Sequence, residues 1–112
     1  MVSLHIEPTS RCTLACLRCE RTVLLEKFGK KALPIKDLDI DQINRFIDIQ
    51  IENIDLCGNT GDPIYHRHFV DFIKVIKNKS HSIQIITNGS YKSQQWWQEL
   101  LDVLTDSDTV TF

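Results

Sequence analysis

Three of the four cysteines fall close together, in Cys12-Thr13-Leu14-Ala15-Cys16-Leu17-Arg18-Cys19, a C-x3-C-x2-C pattern. Thiolates prefer soft metals, and a cluster this tight reads as metal or cofactor binding rather than as a disulfide framework, which spreads its cysteines. Structural zinc needs a closed set of four ligands. The chain has one C-x2-C pair, so zinc would recruit Cys57 or one of His5, His66, His68 and His81. A [4Fe–4S] cluster is commonly held by four cysteines. Three cysteines leave one iron open to a substrate or cofactor, so their number points to an iron–sulfur cluster with an open position.

The rest of the composition is that of one ordinary soluble domain. The chain has 112 residues, 42% hydrophobic and 25% charged, with 13 Lys plus Arg against 15 Asp plus Glu. A net charge of −2 gives no basic groove for nucleic acid and no polybasic membrane patch. The longest apolar run is Leu14-Ala15-Cys16-Leu17, far short of the roughly 18 residues of a membrane span. Met-Val-Ser-Leu-His shows no basic region before an apolar stretch, so no secretory signal is visible and the expected compartment is the cytoplasm.

The elements that must carry the cysteines follow from periodicity. Leu4-His5-Ile6-Glu7 alternates and stops at Pro8, a predicted first strand leading straight into the cysteines. Residues 20–38, with Gly29 and Pro34, read as a connection with about one helical turn. Asp39 and Gln42 have capping-box spacing ahead of an apolar face of Ile40, Ile43, Phe46 and Ile47. Ile51 to Cys57 is a predicted strand. Within residues 62–79, Phe69, Phe72, Ile73 and Ile76 form one helical stripe. Ser82 to Thr87 is a strand broken by Asn88-Gly89. Ser93 caps a helix whose stripe is Trp97, Leu100, Leu101 and Leu104. Thr109 to Phe112 begins another strand. This alternation predicts one α/β domain, residues 1–112, of right-handed parallel βα units. Its last strand looks cut short, so a fragment of a longer domain is expected.

A second motif stands at the end of the second strand, in Leu56-Cys57-Gly58-Asn59-Thr60-Gly61-Asp62-Pro63. Asp62 and Pro63 also make an ordinary helix start. Together, the triad after Glu7-Pro8-Thr9-Ser10-Arg11 and this second motif resemble the radical S-adenosylmethionine (radical SAM) superfamily, its N-terminal core portion in particular. The second motif looks like that family's Gly-Gly-Glu-Pro. Three positions depart from the family pattern: Arg18 where an aromatic residue is common, Thr13 where Asn is common, and Asp62 for the usual Glu.

The resemblance implies the first four strands of a (βα)6 partial barrel. It implies Cys12, Cys16 and Cys19 as ligands of a [4Fe–4S] cluster, with S-adenosyl-L-methionine on the fourth iron. Reductive cleavage then yields a 5′-deoxyadenosyl radical, which abstracts hydrogen from a substrate the sequence does not name. The cofactor pocket would be lined by Arg18 through its backbone and by Gly61 and Asp62 against the methionine ammonium. Apart from the resemblance, Asn88 after the third strand is expected near the cofactor at the sheet edge, or else as a plain turn. The implied partner is a one-electron donor of flavodoxin or ferredoxin type. The strands that would complete the pocket lie beyond Phe112, so this chain alone is expected to be incomplete as an enzyme. A zinc-binding module and an iron–sulfur electron carrier remain as the other readings. Cys57 is expected as a small buried residue. His66 and His68 are expected as solvated or locally bonded, Trp97 as core and Trp96 as partly exposed.

Overall fold

The computed structural model describes residues 3–11, 20–29, 36–57, 61–89 and 92–112. Its elements are β1 (Ser3–Ile6), α1 (Glu20–Phe28), α2 (Ile40–Phe46), β2 (Ile51–Leu56), a single 3-10 turn (Pro63–Tyr65), α3 (Phe69–Lys77), β3 (Ser80–Ile86), α4 (Gln94–Val103) and β4 (Thr109–Thr111). The four strands form one sheet in the order β1-β2-β3-β4. All three pairings are parallel, with Leu4 beside Ile54, Ile54 beside Ile83, and Ile85 beside Val110. A parallel sheet whose strands follow chain order is singly wound: right-handed crossovers then put successive helices on the same face. A doubly wound sheet reverses its strand order, and this one does not. The architecture is therefore α/β, compatible with the beginning of a barrel of βα units. Among the described residues, no helix is long and apolar enough to cross a membrane.

The alternation read in the sequence becomes the two faces of the sheet. Ile6, Ile54, Leu56, Ile83 and Ile85 are buried against the α3 stripe of Phe69, Phe72, Ile73 and Ile76. Each such side chain contributes about 1.5–3 kcal/mol when fully withdrawn from water. The other face is polar: Ser82 donates to Asn53 Oδ1 at 2.8 Å, and Asn53 Nδ2 donates to Asp55 at 2.7 Å. Leu100 carries α4 into the core. Lys77 and Asp108 clip α3 to the turn before β4 at 2.6 Å, and the fully buried Asp108 carboxylate also accepts the N–H groups of Ile83 and Thr105, each at 2.8 Å.

The predicted boundaries change in several places. Residues 20–28 are a helix of nine residues, not one turn; Gly29 ends it at φ 76°, with its N–H on Leu25 O. Within residues 62–79, Pro63–Tyr65 form the 3-10 turn and the predicted α-helix runs over Phe69–Lys77. β3 starts at Ser80, because β2 already pairs there through Ile51. Asp39 does cap α2, accepting the N–H groups of Asp41 and Gln42. Ser93 likewise caps α4, accepting from Trp96 N. Yet Phe46 is 85% and Leu101 56% exposed, so neither belongs to the buried face assigned by spacing. Trp96 and Trp97 are both half-buried; Trp96 stacks on Phe69 at 6.1 Å and Trp97 lies 5.6 Å from the Phe112 ring.

Candidate functional site

Cys12, Cys16, Cys19 and Arg18 lie outside the described residues. The segments on both sides of the cysteines are described. The chain enters them from β1 through Glu7-Pro8-Thr9-Ser10-Arg11, at the C-terminal edge of the sheet. In parallel α/β sheets this is the edge where ligands gather, because the loops that follow the strands converge there.

Here three loops are tied to one another. The Asp62 N–H donates to Arg11 O at 2.7 Å, joining the loop after β2 to the residue before Cys12. Gly61 makes that approach possible. A Cβ at this position would fall on the Thr9 carbonyl oxygen and stand 2.7 Å from the Ser10 carbonyl carbon. The Asp62 carboxylate then reaches the loop after β3. It accepts the Thr87 hydroxyl at 2.6 Å on Oδ1 and the Asn88 N–H at 2.6 Å on Oδ2. It also accepts Ile64 N–H at 3.3 Å, which caps the 3-10 turn that opens at Pro63. The helix-start role read for Asp62 is therefore present. The bridge to Thr87 and Asn88 is an addition no local pattern could show.

A second carboxylate holds the chain where it returns from the cysteine region. Thr9 and Asp37 form an isolated antiparallel bridge, backed by Ser10 N–H to Lys36 O at 3.0 Å and Leu38 N–H to Pro8 O at 2.8 Å. Asp37 accepts the Thr9 hydroxyl at 2.5 Å, Arg11 Nε at 3.2 Å and the Arg67 N–H at 3.2 Å. His66 completes the clasp. Its Nε2–H donates to Leu38 O at 2.6 Å, while Nδ1 accepts the His68 N–H at 3.0 Å. His66 is thus buried and bonded across the loops as well as locally, whereas His68 is exposed. Sequence reasoning passed over Asp37 altogether, since a single Asp in a connection carries no signal.

Burial pushes the Asp37 carboxyl up, but the Thr9 hydroxyl, the Arg67 N–H and Arg11 outweigh it, and the group is held below its ordinary 3.8. Asp108 is also held below 3.8: burial is again the largest influence and raises it, and Lys77 with two backbone N–H groups reverses the sign. Lowered carboxylates stabilise the fold above their unfolded value and lose that contribution as pH falls through the folded value. The melting temperature should therefore hold from neutral pH down to about 5 and drop once the pH passes below about 4. Asp37→Asn should cost about 1–2 kcal/mol at neutral pH and flatten that drop, checked by thermal melts across pH. A melting temperature that stays flat below about pH 4 would show that these carboxylates carry no such stability.

Cys57 is half-buried, not buried as expected, and its Sγ lies 3.4 Å from His5 Nε2. Burial, with the charges of Glu7 and Asp55, pushes its thiol above the ordinary value. Lys92 Nζ sits 5.0 Å over the Tyr65 ring and 4.9 Å over the Trp96 ring, a bracket that the sequence did not reveal. Burial lowers the Lys92 pKa, against the charge of Asp62.

Two observations bear on whether the described residues suit a cluster and its ligand. The Gly61 cradle excludes any side chain and brings two backbones together beside the first cysteine. Thr22, three positions after Cys19, has a buried hydroxyl with no hydrogen-bond partner among the described residues. The first fits a ligand that must approach the backbone closely, and the second a polar partner for the start of α1. Among the described residues alone, no group of three or more His, Cys, Asp or Glu side chains is arranged to hold a metal ion.

No family model matches the chain. It is 26% identical over 106 residues to a tungsten-containing aldehyde ferredoxin oxidoreductase cofactor-modifying protein of Pyrococcus furiosus. The match takes in 95% of this chain but only 29% of the relative's length.

Proposed function

We propose that the chain carries the N-terminal core of a radical SAM protein. In this reading Cys12, Cys16 and Cys19 hold a [4Fe–4S] cluster whose open iron takes S-adenosyl-L-methionine. The observation that carries the proposal is the convergence at one sheet edge. Arg11, which precedes the triad, is bonded to Asp62, and Asp62 to Thr87 and Asn88. The C-x3-C-x2-C spacing, the Gly61-Asp62-Pro63 segment and the singly wound order of β1 to β4 support the same reading. With the cluster bound, one electron from a flavodoxin- or ferredoxin-type donor divides S-adenosylmethionine into methionine and a 5′-deoxyadenosyl radical that takes hydrogen from a substrate. In this reading Gly61, the backbone at Asp62 and the turn at Asn88 would form one wall for the cofactor, and Arg18 would contribute through its backbone. The relative's name supports a role in cofactor modification. The substrate belongs to the whole protein, of which the relative's length suggests this chain is a part.

One observation favours zinc as a second reading: Cys57 and His5 stand side by side at the same edge and could supply a fourth ligand. The C-x3-C-x2-C spacing argues against it, because structural zinc sites are usually built from two C-x2-C pairs or from two Cys with two His.

Anaerobic reconstitution with iron and sulfide separates the readings. The expected result is a brown protein with about four irons per chain, whose reduced-state electron paramagnetic resonance spectrum shifts when S-adenosylmethionine is added. A colourless protein with one zinc returns the chain to the binding-module reading. A cluster indifferent to S-adenosylmethionine makes it an electron carrier.

A further inference from the structure

We infer that Asp62 is a positioning residue at this edge: it shapes the turn that carries Asn88 and leaves contact with the ligand to that turn. The inference rests on the reading above that S-adenosylmethionine binds here. The side chain of Asp62 was expected to meet the methionine ammonium directly. Its environment leaves little for that task. The residue is 5% exposed, and its two oxygens already hold three donors, two of them at 2.6 Å. Bonds to an ionised acceptor at this length are the strong kind, and with three of the carboxylate's acceptor sites taken, one on Oδ2 remains, on a side chain with little access.

What those bonds fix is the end of β3. The Thr87 hydroxyl has one proton, and Asp62 takes it. Its oxygen is then oriented to accept the Gly89 N–H at 3.1 Å, closing the turn in which Gly89 sits at φ 70°. The Asn88 N–H is held by the other Asp62 oxygen. On its opposite side, Asp62 is anchored by its own N–H to Arg11 O. Asp62 thus sets the Thr87-Asn88-Gly89 turn relative to the strand of chain that begins the cysteine segment. A shift at either loop is passed to the other through one buried side chain.

Thr87→Val tests this, because it removes the hydroxyl at nearly constant volume and leaves the Asp62 charge in place. Thr87→Ser keeps the hydroxyl. Two measurements are made on the full chain: the amide spectrum of the cluster-free protein, and the S-adenosylmethionine dependence of the reduced-cluster spectrum after reconstitution. The positioning role expects Thr87→Val to move the Asn88 and Gly89 amide resonances before any cluster is present. It also expects affinity to weaken about tenfold with iron content unchanged, and Thr87→Ser to restore affinity to within about twofold. Should Thr87→Val fail to fold, Asp62→Asn serves: positioning expects weaker binding together with moved Asn88 and Gly89 amides. Weaker binding with those amides in place overturns the inference, as does a Thr87→Val protein that binds like the parent. A parent chain that takes up its cluster and ignores S-adenosylmethionine overturns the underlying reading and the inference with it.

Discussion

Replacing any one of Cys12, Cys16 or Cys19 by Ala should take iron content after reconstitution from about four per chain to near zero, while Cys57→Ala keeps it. The asymmetry comes from the C-x3-C-x2-C spacing, which Cys57 stands outside. Cys57 follows β2 with its Sγ against the His5 ring. The three clustered cysteines follow a loop held from both directions, by Asp62 through Arg11 O and by Asp37 through Thr9 and Arg11. A segment pinned before its first ligand loses less conformational freedom when the metal binds. Iron and acid-labile sulfide measured on all four variants decide the matter. Loss of the cluster in Cys57→Ala with retention in Cys12→Ala would overturn the ligand assignment.

Gly61→Ala should be among the most damaging single changes to the fold, at about 2–4 kcal/mol. The added methyl meets backbone atoms of Thr9 and Ser10, which cannot swing aside as a side-chain tip can. To relieve the overlap, the loop after β1 must move off the loop after β2, taking with it the bond from Asp62 N–H to Arg11 O. Iron loading should therefore fall along with stability. For a chain of this size the melting temperature should drop by roughly 10 °C or more. Gly29 supplies the contrast. It occupies positive φ but a Cβ there has nothing within 4 Å, so Gly29→Ala bears only the local backbone strain of about 1–2 kcal/mol. If both variants melt alike, the packing at Gly61 is looser than its geometry says.

The contrast between what could and could not be read from residues alone is one of range. The Phe69, Phe72, Ile73, Ile76 stripe, the caps at Asp39 and Ser93, and the helix start at Asp62-Pro63 were all legible, because each is written within a few neighbouring positions. α1 was read too short because its Glu-Arg-Thr-Val-Leu-Leu-Glu-Lys-Phe sequence has no clean apolar stripe, and Phe28 ends up exposed. Phe46 and Leu101 fit a helical stripe by spacing and yet face water. Periodicity assigns a side to a residue but does not say how far the neighbouring layer extends over it. The bonds that build the candidate site, Asp62 to Thr87 and Asp37 to Thr9, join residues 25 and 28 positions apart. No motif in one sequence carries that information. The cysteine spacing could be read in full, although the cysteines lie outside the described residues.

The chain-order sheet has a consequence for how firmly each loop is held. Pairing β3 with β4 brings together Gln84 and Thr109, and pairing β2 with β3 brings together Ile51 and Ser80. Pairing β1 with β2 joins Ser3 to Asn53, closing a loop about twice as long as either. Each doubling of a flexible loop adds about 0.6 kcal/mol of closure entropy. β1 is also an outermost strand with only Ile6 fully in the core, whereas β2 and β3 share Ile54, Leu56, Ile83 and Ile85 with α3. Opening of the molecule is thus graded, cheap at the two outer strands, β1 and the three-residue β4, and dearest at β2, α3 and β3. Detachment of β1 would loosen the triad's anchor and leave the Asp62–Thr87 turn standing, so a ligand that bridges the two loops would act as a cross-link between a lightly held outer strand and the firmest part of the fold.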